Sequence, residues 1–180
     1  MMKNETFYLA GTACGAWESR IFPALCETVV NSPNFKVRIN AAQALSVIGK
    51  REHYGTFFQS TWLALLQALE QSDNLVDYNE YKRRDALQEQ LCLSLAHLLR
   101  LAAKDDVVPM ASVLLPLYDA VRGNWVRVIS RILPEKSAAL LESYRVLMEL
   151  RKSNKGDGGE TIPASSWDLL LKCFTDSDVC

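Results

Sequence analysis

The 180-residue sequence predicts an all-α chain of antiparallel helical pairs, organised as an α-solenoid. Apolar residues recur with a period near 3.6, and runs alternating apolar with polar in the manner of a strand are scarce. Arg38-Ile39-Asn40-Ala41 returns as Arg83-Arg84-Asp85-Ala86 after 45 residues, a spacing typical of helical-pair repeats.

The first pair is expected over about 15–49. Ile21, Leu25 and Val29 make one apolar stripe, and Asn31-Ser32-Pro33-Asn34 supplies a turn in which proline stops the helix. Val37, Ala41, Ala44, Leu45 and Ile48 share one face of the next helix, with Lys36, Asn40, Gln43 and Lys50 on another. Gly49 is the expected C′ residue, since glycine enters the left-handed conformation without a Cβ penalty. The small Ala41, Ala42 and Ala44 allow close approach of a neighbouring helix.

A second pair is expected over about 56–103. Phe58, Trp62, Leu65, Leu66 and Leu69 form its first stripe, and the polar turn QSDNLVDY follows. A long helix from about Asn79 to Ala103 then turns Leu87, Leu91, Leu95 and Leu98 inward and leaves Lys82, Asp85 and Glu89 on its polar face.

The third pair, about 105–152, opens with Asp105 or Asp106 as N-cap, ahead of Val113, Leu114, Leu117 and Val121. Pro116 should kink or split that helix. Gly123-Asn124 reads as a break before a short segment from Trp125 to Leu133. Pro134-Glu135 reads as a favourable start for a helix carrying Leu140, Leu141, Tyr144, Leu147 and Met148. Residues 153–161 read as a glycine-rich linker, and 162–180 carry a short final helix. Its Trp167, Leu170, Leu171 and Phe174 fall at i, i+3, i+4 and i+7, the stripe of a helix that caps the stack or anchors in a partner's groove.

Lys plus Arg is 20 and Asp plus Glu 21, a balance that argues against a protein binding nucleic acid through its phosphates. The five cysteines, Cys14, Cys26, Cys92, Cys173 and Cys180, are scattered without metal-ligand spacing, which points to a reduced intracellular chain, cytoplasmic or nuclear. The opening MMKNETFYLAGTACGAW lacks the basic and apolar regions of a signal peptide. Asn4-Glu5-Thr6 is therefore expected to be an inert glycosylation triplet. No run reaches the roughly 18 apolar residues of a membrane span.

Catalytic chemistry is poorly represented. His97 lies in an apolar helical run and His53 beside loop charges, so neither stands out as a proton carrier. Gly49-Lys50 lacks the glycine spacing and following Ser/Thr of a phosphate loop. Cys92, flanked by leucines, has no nearby cation in sequence to activate it. No enzymatic activity, cofactor or metal is expected.

The run IFPALCETVVNSPNFKVRINAAQALSVIG resembles a HEAT repeat, with a proline in the first helix, a polar turn, then Val-Arg and an alanine-rich second helix. The likeness covers about residues 20–103 and fades toward the C-terminus. It implies a right-handed superhelix that serves as a scaffold for other proteins, and a chain that is a monomer or part of a longer solenoid. It also implies that Arg38 ties adjacent units together, with Asp77 as the acid ahead of Arg83. Ser32, where the first unit should carry an acid, departs from that pattern.

The expected function is non-catalytic protein binding through the polar faces of the second helices, at Lys36, Asn40, Gln43, Lys50, Lys82, Asp85 and Glu89. The alternative is an adaptor for nucleic acid or anionic phospholipid, using Lys36, Lys50 and Arg51 with Lys82, Arg83 and Arg84. The mixed signs of the first set suit a protein surface better than a polyanion.

Overall fold

A computed structural model describes residues 13–74, 80–154 and 162–176, with side chains from Glu18 onward. Asp77, residues 155–161 of the expected linker, Asn4–Thr6 and Cys180 lie outside the described residues, as does the Cys14 side chain. Every regular element described is helical. The α-helices are α1 (Ala13–Asn31), α2 (Phe35–Leu45), α3 (Phe58–Gln71), α4 (Tyr81–Leu101), α5 (Val107–Leu114), α6 (Tyr118–Ile129), α7 (Pro134–Asn154) and α8 (Ala164–Cys173). Tight 3-10 turns lie at Arg51–Phe57, Ser72–Asn74, Lys104–Asp106 and Leu115–Leu117.

Local chemistry sets several boundaries. Asn34 begins α2, its Oδ1 accepting the N–H groups of Lys36 at 2.9 Å and Val37 at 3.4 Å. Such a cap stabilises a helix by about 1 kcal/mol. The helix ends at Leu45, earlier than the expected glycine stop at Gly49. The Ser46 hydroxyl donates to Ala42 O and Gln43 O and satisfies the last carbonyls instead. Among the described residues, the glycine with positive φ is Gly55, at φ 50°, within the turn that leads into α3.

Pro116 acts as the sequence predicts. It cannot donate to the carbonyl four residues back, so α5 stops at Leu114, a 3-10 turn intervenes, and α6 restarts at Tyr118. The expected break at Gly123-Asn124 is absent: α6 runs through both residues. Asn124 is fully buried and hydrogen-bonded to neighbouring elements, which offsets the roughly 1 kcal/mol that Gly123 costs a helix.

The helices meet in an orderly sequence. α1 lies on α2 and α3, α2 on α4, α3 on α4, α5 and α6, and α4 on α6 and α7. The alanines Ala41 and Ala42 on α2 are buried, as are all five stripe residues of α3 and Leu87, Leu91, Leu95 and Leu98 on α4. Each fully buried leucine contributes about 1.5–3 kcal/mol.

Two predicted stripes are rotated. On α1, Phe22 takes the buried place while Ile21 remains 40% exposed, because the Phe22 ring stacks on Phe57 with centroids 5.1 Å apart. On α2, Phe35, Arg38, Ala41, Ala42 and Leu45 face inward, while Val37 and Ala44 lie on the exposed side. Ile48 is buried from beyond the end of the helix, and on α7 Leu141 is exposed whereas Leu140 and Leu147 are buried.

Candidate functional site

Buried polar side chains join the pairs. Gln88 of α4 is fully buried, and its Nε2 lies 2.9 Å from Ser72 Oγ, 3.2 Å from Asp73 Oδ1 and 3.2 Å from Asn124 Oδ1. Its Oε1 accepts from Arg131 Nη2 at 2.8 Å. Asn124 of α6 donates to Leu69 O at 3.1 Å and accepts from Arg127 Nη1, which also reaches Asp73 at 2.7 Å. One network thus ties the end of α3 to α4 and α6. Between α2 and α4, the Ser94 hydroxyl donates to Ala42 O at 3.0 Å, and Gln43 Nε2 donates to Gln90 Oε1 at 3.2 Å.

A second joint centres on Asp106, whose side chain is 6% exposed. Arg51 donates to both of its carboxylate oxygens at 2.7 Å, Ala103 N–H at 2.9 Å and Gln59 Nε2 at 3.3 Å. The guanidinium also lies over the Phe58 ring, 4.0 Å from its centroid. Burial on its own raises the carboxyl pKa. The bonds from Arg51, Ala103 and Gln59 outweigh it and hold Asp106 below the usual carboxylate range. Asp106 therefore reaches backward and across, and makes no side-chain bond to the start of α5.

His97 is half-buried on α4, with Nε2 2.7 Å from Ile48 O and Nδ1 3.5 Å from Arg100 Nη2. A donating Nε2–H leaves Nδ1 to accept from Arg100, the arrangement of a neutral ring. Burial lowers its pKa, the bond to Ile48 opposes that, and Arg100 adds to the lowering.

The residues expected to bind a partner divide into two groups. Lys36, Asn40 and Lys50 of the first pair and Lys82 of α4 are exposed. Gln43, also exposed, and the half-buried Asp85 and Glu89 engage neighbouring segments: Gln43 with Gln90, Asp85 with Arg131 just past α6 at 3.1 Å, and Glu89 with Lys136. The basic set is similarly depleted, because Arg51 is held by Asp106, Arg83 by Glu80 at 3.3 Å, and Arg84 by Asp85 at 3.1 Å. Lys36 and Arg83 line a shallow groove of about 490 Å³ with Pro33, Asn34, Phe35 and Glu80.

Arg38 is buried, and its Nε donates to Val29 O at 2.8 Å. That bond joins α2 to α1 of the same pair, whereas the resemblance implied a tie between units. Arg83, its counterpart in the 45-residue register, is exposed.

Trp167, Leu170, Leu171 and Phe174 are all buried, and α8 lies on α5, α6 and α7. The Phe174 ring meets Trp62 and Trp125 edge-on, with centroids at 5.6 and 4.8 Å. Arg122 donates to Thr175 O at 2.6 Å and Cys173 O at 3.3 Å, and Arg151 pairs with Asp168 at 2.9 Å.

Burial pushes the thiols of Cys92 and Cys173 far up, and that of Cys26 up despite a weak bond to Thr61, so all three remain protonated at neutral pH. Among the described residues, no group of three or more His, Cys, Asp or Glu side chains gathers at metal-binding distance. No described helix is long and apolar enough to cross a membrane.

A stretch of 84 residues is 32% identical to part of a Dictyostelium discoideum protein described as uncharacterized. The match covers 46% of this chain and 6% of that protein, so the chain spans a small fraction of its relative's length. No family model matches the sequence, and no solved structure matches the fold.

Proposed function

We propose that the chain is a HEAT-type α-solenoid segment, a right-handed stack of helical pairs acting as a non-catalytic scaffold for protein partners. The observation that carries this reading is the side-by-side order of the second helices, α2 on α4 and α4 on α7. Cross-helix bonds accompany that order at similar separations, 47 residues for Gln43–Gln90 and 47 for Lys136–Glu89. Contacts recurring at nearly constant separation are what a repeat stack produces.

The binding face in this reading comprises Lys36, Asn40 and Lys50 with Lys82. Gln43, Asp85 and Glu89 hold the helices that present it. α8 caps the far end of the stack by covering the apolar surface of α5 and α6. An intracellular setting, cytoplasmic or nuclear, belongs to the same proposal, as does membership of a longer solenoid.

The test compares the full chain with a Lys36→Glu/Lys82→Glu variant as immobilised bait, after circular dichroism shows equal helix content. Loss of specific captured proteins from the variant supports the face, and full retention of all of them removes it. Binding to heparin that falls steeply with added salt, at affinities matching the captured partners, would favour the polyanion adaptor instead.

A further inference from the structure

We draw no further inference here: the strongest candidate, the exposed apolar side chains Ile21 of α1 and Val37 of α2, carries nothing because nothing in the structure shows what covers them.

Discussion

Arg51 and Asp106, 55 residues apart in sequence, meet through two N–H···O bonds of 2.7 Å that join the turn after α2 to the turn before α5. The carboxylate also accepts from Ala103 and Gln59, so its burial is compensated by a full set of donors. Asp106→Asn leaves the Arg51 charge without its partner in a partly buried site. With Arg51 partly exposed, we expect a loss of about 1.5–3 kcal/mol, measured by urea denaturation. A loss within about 0.5 kcal/mol would show that the pair is an ordinary surface contact. The pKa adds a pH signature. Because the folded carboxyl binds its proton less readily than the unfolded one, its contribution is complete above about pH 4 and is lost as the pH falls through the lower folded value. Asp106→Asn should remove that part of the acid dependence.

The Gln88–Asn124 pair makes a different prediction. Asn124→Leu takes away the donor to Leu69 O and an acceptor of Gln88, leaving buried polar groups unpaired at a cost of about 2–4 kcal/mol. Gln88→Leu alone should cost a similar amount. The double variant should cost clearly less than the sum of the two, because members of one network are not independent. Strict additivity in denaturation midpoints would show that the two side chains act separately.

The strongest parts of the fold were legible where period and chemistry agreed. Trp62, Leu65, Leu66 and Leu69 fell on one face of α3, and Pro116 split a helix by removing a donor. Asn124 was hidden by its own type, since Gly-Asn reads as a break. Its register nevertheless placed it three residues after Val121 and four before Val128, both buried. A polar residue in that position demands buried partners, and that signal would have found the network. Gln88 carried the same signal, three residues before Leu91. Arg51–Asp106 carried none, since no local pattern links residues 55 apart. Of the expected binding face, sequence could identify polar helical positions but not which of them neighbouring helices consume. Asp85 and Glu89 looked as exposed as Lys82 until Arg131 and Lys136 were brought beside them.

His97 gives the folded chain a titration below the ordinary imidazole range, because burial disfavours the charged ring. Its folded pKa is lowered, so between that value and about 6.5 the unfolded state binds more protons and stability rises with pH. The contribution is complete above about pH 6.5 and lost as the pH falls toward the folded value. We expect His97→Gln, which can still donate to Ile48 O, to flatten the slope in this range. An unchanged slope in chemical denaturation series would assign it elsewhere.

Phe174, the residue just after α8, is seated between Trp62 and Trp125. Phe174→Ala should cost about 3–5 kcal/mol through lost burial and the remaining cavity. The intrinsic tryptophan emission should shift as solvent reaches the two indoles. A chain cut after Asn154 should melt lower and associate through the uncovered surface of α5 and α6 if α8 is a cap. Unchanged melting and solubility, together with loss of a bound partner, would make α8 an anchor.

The stacking of second helices is tested most directly by crosslinking in the folded chain. A short bis-maleimide should join Gln43→Cys to Gln90→Cys, and separately Glu89→Cys to Lys136→Cys, within one molecule, because each pair of positions faces across adjacent helices. Both links should disappear in denaturant. If the introduced thiols react singly with maleimide in the native protein yet neither pair is joined, the second helices do not lie side by side and the scaffold reading fails with them.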